Sequence, residues 1–497
     1  MRLIAILILF LLTGNYYAQV IQQYKFRLNP AHENDFFGVS PVFVNNLFIA
    51  GSPQYDKYGE NTGAAFLFNS NSLQSSPRII IPPTRHANAF FGFWIHFIDD
   101  IVYISAVRDS ANGSTADRGA VYCYKPEGDS LRYLGRIISN YPRARYFGSD
   151  IDKKGARLVI GSRTAFYTQT MYSGAVMAFT VTDSTLVEDT VLFRRVPQKA
   201  ENFGAAVSLN NGYLFVGAPQ AQDIALFVGA VDIFRDSGGT LTYITTLLPD
   251  TPANSTMYGT EIATNESQLI ISAPGGIGAP DDYTGLVYIY DSFPPFKLRR
   301  KLSAPVRSIR GFGNSIKLRS DTLFVGALGG GDVQADGYAF LYKLSTGTDI
   351  PVLSLKPTDH LFGQAFGQYV DFSGNKFQVG SPQDKRGLSN SGSLYYFVVN
   401  PTGVSNEENK EENALFANFP NPFNTSTVIA YRLKAGGRVQ LFVYDMLGNE
   451  VAQLVNEDKP PGYHEVSLDA SKLASGVYLY KLQAGSFVQT RKLMLLK

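Results

Sequence analysis

Apolar residues along this chain gather in short runs of strand length, and the runs recur with a fixed period. Seven times, at intervals of 54 to 56 residues, an aromatic-Gly pair is followed thirteen residues later by Gly or Ser closing an apolar run. The glycines of the pairs are Gly38, Gly92, Gly148, Gly204, Gly259, Gly313 and Gly367, and their partners are Gly51, Ser105, Gly161, Gly217, Ser272, Gly326 and Gly380. Such a period marks one supersecondary unit copied many times, because a single unit cannot bury its own apolar faces.

Each unit reads as four strands, most clearly in the fourth. Ala205 to Leu209 leads into the turn Asn210-Asn211-Gly212, where positive φ is tolerated. Tyr213 to Val216 follows and ends in Gly217-Ala218-Pro219; Gly229 to Phe234 and Leu241 to Leu248 complete the unit. The seventh unit stops after its third strand, Leu394 to Val399, while Gln23 to Pro30 has the look of a fourth strand. The expected fold class is therefore all-β: a seven-bladed β-propeller over residues 19–400, closed by the N-terminal strand so that two exposed edges disappear. Residues 401–413 are polar and charged and read as a solvated linker. Residues 414–497 alternate in short strands and predict a small Ig-like β-sandwich.

Composition narrows the partners. Lys plus Arg total 44 against 42 for Asp plus Glu, a balance that gives no reason to expect nucleic acid or an anionic membrane. Arg2 followed by the ten apolar residues Leu3 to Leu12 reads as an export signal over residues 1–18, cut after Ala18, and is too short to span a bilayer. No later segment is long and apolar enough for a transmembrane helix. The single cysteine, Cys123, sits in an alternating run and reads as a packed strand residue.

The repeat resembles the FG-GAP family, the propeller repeat of integrin α chains, through pairs such as Phe147-Gly148 and Phe312-Gly313 and through Gly217-Ala218-Pro219. Many members of that family carry an Asp-rich calcium loop in the first hairpin. Here those turns hold sequences such as Asp99-Asp100 and Lys153-Lys154-Gly155, too poor in spaced oxygen ligands for calcium, so no metal or cofactor is expected. The C-terminal segment closely resembles the sorting domain of the type IX secretion system. The resemblance rests on Pro420, Asn421, Pro422 and Phe423, on Tyr444, Asp445 and Gly448, and on Gly476, Tyr478 and Lys492. It implies a bacterium of the Bacteroidetes type, export through the periplasm, handling by the type IX machinery, and a secreted or outer-surface product.

Catalytic patterns are weak. The five histidines are scattered, and there is no Gly-x-Ser-x-Gly element or metal-binding pair of familiar spacing. His96 reads as a satisfied structural histidine and Trp94 as core. Recognition is expected on the loops joining second to third strands, which vary from 10 to 13 residues on a rigid frame. The candidate ligand contacts there are Tyr55, Lys57, Tyr58, Arg108, Asp117 and Tyr167. Tyr172, Asp282, Tyr283, Asp336, Asp384 and Arg386 complete the set. The expected function is non-enzymatic binding or adhesion at the cell surface, toward an extracellular protein or glycan. The alternative is a secreted polysaccharide hydrolase or lyase, which a polar cluster at the channel mouth would favour.

Overall fold

The computed structural model describes residues 19–110, 117–182, 185–275, 284–305, 309–329, 337–357, 359, 364–384, 389–401, 413–415, 418, 423, 425–460 and 462–496. The expected export signal and nearly all of the expected linker lie outside these residues. The chain is all-β, with no α-helix among the described residues. It divides into two compact units, one over Tyr24–Tyr396 and another that includes Phe397–Lys497.

The first unit contains seven four-stranded sheets among the described residues. Sheet four shows the plan: Val207–Asn210, Tyr213–Ala218, Ala230–Asp236 and Leu241–Leu247 pair antiparallel in that order. Its first turn takes positive φ at Asn211 and Gly212, as the Asn-Gly pair requires. The leading strands of sheets one to three are Val39–Val44, Phe91–Ile98 and Phe147–Lys154. Those of sheets five to seven are Ile262–Thr264, Ser315–Arg319 and Tyr369–Ser373. In sheet seven the strand beside Ser393–Pro401 is Gln19–Phe26, so the N-terminal segment supplies the member that the seventh repeat lacks.

The thirteen-residue spacing has a packing cause. A Cβ added at Gly217 would sit 2.1 Å from the carbonyl oxygen of Gly259, the glycine of the next aromatic-Gly pair. Gly380, in the last sheet, makes the same approach to Gly38 in the first, again at 2.1 Å. A side chain at Gly217 or Gly380 would clash there, so glycine holds five of the seven such positions, with the small Ser105 and Ser272 at the other two. Leading strands touch in succession from sheet one to sheet seven, and the leading strand of sheet seven touches that of sheet one. Between sheets lie apolar layers such as Val159, Val176, Phe203, Leu214 and Val216. Cys123 is half-buried in the strand Ala120–Glu127, where desolvation pushes its thiol up to about 12.

The second unit has a three-stranded sheet, Ala414–Leu415, Ser426–Leu433 and Gly462–Asp469. A four-stranded sheet orders Glu450–Lys459, Gly437–Tyr444, Gly476–Ala484 and Phe487–Leu495. Alternate residues from both sheets, including Ile429, Tyr431, Leu441, Val443, Tyr480 and Leu493, form one buried apolar cluster. That is the packing of two sheets face to face.

Candidate functional site

The leading strand of each repeated sheet is an edge, with backbone N–H groups that need partners. Polar side chains of the preceding leading strand provide them. Asp150 Oδ2 accepts from the Val207 N–H at 2.7 Å, and Asp152 Oδ2 from the Leu209 N–H at 2.7 Å. Asp371 of sheet seven accepts from the Phe43 N–H of sheet one at 2.7 Å. Ser40 Oγ accepts from the Ile95 N–H at 2.9 Å. These groups are structural, and they leave the rest of the same rows to be explained.

Two residues past the pair glycines stand Ser40, Trp94, Asp150, Ala206, Glu261, Ser315 and Tyr369; four past stand Val42, His96, Asp152, Ser208, Ala263, Lys317 and Asp371. The topology brings several of these together although they come from different sheets. The Trp94 and Tyr369 rings meet edge-on with centroids 5.6 Å apart. His96 Nε2 lies 3.4 Å from Asp150 Oδ1, with side chains only 14% and 21% exposed. Desolvation, helped by the Lys317 charge, lowers the His96 pKa to about 3. Desolvation raises Asp150 to about 7 against its backbone donors, and raises Glu261 to about 8 with Asp150 adding repulsion. Tyr369 is raised to about 12 by desolvation, with Glu261 adding to the shift and Arg163 opposing it.

Arg163 follows directly on the second strand of sheet three, Arg157–Ser162. Its guanidinium lies over the rings of Tyr146 at 5.3 Å and Phe93 at 5.9 Å. Close surroundings desolvate it and lower its pKa, with Tyr146 and Tyr369 opposing. Neither Arg163 nor Lys317 has an ion-pair partner among the described residues. Four enclosed polar atoms nearby lack hydrogen-bond partners: Trp94 Nε1, His96 Nε2, Thr164 Oγ1 and Gln368 Oε1. The sequence reading of His96 as satisfied and Trp94 as core is thus corrected; both present an unmet polar atom. In the sequence they stand at two repeat positions, two and four past the pair glycine, whose occupants range from Ala and Ser to Asp, Glu, Lys and Tyr, so no single pattern marks them.

Of the loop residues expected to contact a ligand, Tyr55 is only 4% exposed and packs edge-on against Phe66 at 5.2 Å. Asp384 is also buried, bound by Lys25 Nζ at 2.6 Å and Arg27 Nη2 at 2.9 Å. Burial alone would raise its carboxyl, but the Lys25 and Arg27 charges hold it down at about 2. These two are structural residues, drawn inward by aromatic packing and charge pairing. Arg108 and Asp117 pair with each other at 2.9 Å, half-buried. Lys57 is exposed 5.7 Å from the Tyr58 ring, Tyr167 is exposed beside Phe193, and Tyr172 packs on Phe166. Asp282, Tyr283, Asp336 and Arg386 lie outside the described residues. No group of three or more His, Cys, Asp or Glu among the described residues is placed to hold a metal ion.

In the second unit, Phe423 is buried, donates its N–H to the Met494 carbonyl at 3.0 Å and accepts from the Leu496 N–H at 2.9 Å. Asp445 accepts the Leu447 and Asn449 N–H groups at 2.9 Å each and closes a turn with Gly448 at φ +88°. That turn leaves Met446 and Leu447 exposed. Tyr444 and Lys492 both face Leu479 from neighbouring strands, and the strand holding Tyr478 begins at Gly476. The Tyr478 hydroxyl donates to the Ala474 carbonyl at 2.8 Å. Pro420, Asn421 and Pro422 lie outside the described residues.

Residues 417–496 match the family model of the secretion system C-terminal sorting domain. The chain therefore carries a type IX sorting tail and is exported by that system as a secreted or cell-surface protein. No helix among the described residues is long and apolar enough to cross a membrane. No curated protein matches the chain.

Proposed function

We propose that the first unit is a seven-bladed β-propeller of the FG-GAP kind, closed by its N-terminal strand. On this reading the protein is a non-enzymatic binding protein acting outside the cell. It presents the end of the propeller that carries the second-to-third loops to an extracellular protein or glycan. Closure is supported by Gly380 against Gly38, Asp371 bonded to Phe43, and Gln19–Phe26 in the last sheet. Binding is supported above all by the unmet polar atoms of Trp94, His96, Thr164 and Gln368 beside Arg163. Folded proteins rarely leave such groups without a partner.

The hydrolase or lyase reading draws its support from the convergence of His96, Asp150, Glu261 and Tyr369. Against it, both Asp150 oxygens are engaged by the backbone N–H groups of Val207 and Ile151, and His96 has no bonded partner to activate. General acid–base work needs a base within hydrogen-bond reach of a transferable proton. The exported chain on a protein and glycan array tests the proposal. Retention of a ligand without turnover is the expected outcome. Release of shortened sugar chains from a bound polysaccharide would replace binding with catalysis, and an array with no retained ligand would overturn the binding reading.

A further inference from the structure

The channel-mouth residues can be read for the chemistry they would accept. Arg163, Tyr146, Phe93 and Trp94 lie near the ends of strands where second strands finish and leading strands begin, on the same side as the variable loops. Phe93 and Trp94 meet at 5.7 Å and Trp94 meets Tyr369 at 5.6 Å, so the arginine and the aromatic rings form one continuous patch drawn from sheets two, three and seven.

The polar supply of this patch is weighted toward donors. Arg163 carries up to five N–H groups in a planar fork that suits a carboxylate bidentately. Trp94 Nε1 is a donor only, and its enclosed N–H has no partner. Thr164 Oγ1, the residue after Arg163, is equally unmet. Lys317 lies on the leading strand of sheet six, and no carboxylate among the described residues pairs with it. Aromatic faces around such donors suit a ring with an apolar side, and the charge suits an anion.

We infer that the mouth of the channel binds a carboxylated sugar ring, its carboxylate held by Arg163 and the Trp94 indole N–H, its ring against Tyr146, Phe93 and Tyr369. This rests on the binding reading above and names its ligand class. The same chemistry is offered by a free hexuronate and by the end of an acidic polysaccharide. Protein ligands, by contrast, would engage the loops and would not need Arg163.

The test is calorimetric titration of the full exported chain with galacturonate, glucuronate, their short oligomers and neutral galactose. Uronate binding at least about 50-fold tighter than galactose is expected, a discrimination of the size of a hydrogen bond to a charged group. R163Q should weaken uronate binding by about 30-fold or more while the melting temperature stays near that of the parent. W94F, which keeps an aromatic ring and loses the N–H, should weaken it by about 5-fold. Equal response to monomer and oligomer identifies a free sugar acid, and preference for the oligomer identifies a polysaccharide end; either supports the inference. Equal binding of uronate and galactose, no binding, or R163Q binding uronate as the parent does would overturn it. Should R163Q fail to fold, W94F decides by the same criterion. A protein ligand retained equally by the parent and R163Q would sink this inference and leave the broader reading standing.

Discussion

The variable loops and the patch around Arg163 both offer charged and aromatic residues, but they differ in what those residues already hold. On the loop side charge is matched: Asp384 by Lys25 and Arg27, Asp117 by Arg108, and Asp223 by Arg194. By contrast, Arg163 and Lys317 have no carboxylate partner among the described residues. The difference is one of charge pairing; unmet hydrogen bonds alone do not mark it, since Thr62 Oγ1, Asp232 Oδ2 and the Tyr342 hydroxyl are enclosed without partners elsewhere in the unit. Exposure is a poor guide to that distinction; charge pairing is a better one.

Removing charge from the two regions should therefore have opposite consequences. The largest effect is expected from deleting Gln22 to Leu28. That removes the buried Phe26, worth about 3–5 kcal/mol, and leaves Asp384 enclosed without its cations, a further 3–5 kcal/mol or so. The shortened chain should melt more than about 10 °C lower by differential scanning calorimetry. An unchanged transition would mean that the N-terminal strand does not complete the last sheet.

Next in size is Arg194→Met. Arg194 is 5% exposed at its side chain and lies among Glu201, Asp223 and Asp232. Its loss should cost about 3–5 kcal/mol at neutral pH in urea titration. Burial already raises Glu201 to about 7 and raises Asp232, so the deficit should shrink as acid neutralises both. A deficit independent of pH would exclude uncompensated charge as its cause.

Glu261 should behave in reverse. The Glu261 carboxyl is raised to about 8 from an ordinary value of 4.5. The unfolded chain thus releases this proton first, and wild-type stability falls as pH rises from about 4.5 to 8. Glu261→Gln should be about 1–2 kcal/mol more stable than the parent at pH 9 and equal to it near pH 4. Melting curves at the two pH values check this, and equal gains at both would refute the desolvated carboxyl. The smallest effect belongs to Asp117→Ala, since a half-exposed pair with Arg108 contributes at most about 1 kcal/mol. A melting temperature more than a few degrees lower would show that this loop pair is structural in the way Asp384 is.

The period and strand limits were legible because only glycine or serine fits where the second strand of one sheet meets the next pair glycine, so packing wrote itself into the chain at regular intervals. The fourth unit shows the closeness: Tyr213, Asn211-Gly212 and Leu241 fall where alternation and turn chemistry put them. The sorting segment was legible for a related reason, since Phe423, Tyr478 and the Asp445 turn each serve a specific bond. The patch around Arg163 was not legible. Trp94, Glu261 and Tyr369 are more than a hundred residues apart in places and meet only through the arrangement of sheets. The loop positions misled for the opposite reason: polarity in a loop says nothing about the partner, and Lys25, which binds Asp384, is 359 residues away from it in sequence.

The strand Gln19–Phe26 is synthesised ahead of all seven repeats, yet its neighbour Ser393–Pro401 belongs to the last of them. Every intermediate length of nascent polypeptide consequently carries an unfinished terminal sheet. Maturation waits for almost complete delivery of the chain, and a molecule arrested partway through transport stays open to chaperones and proteases alike.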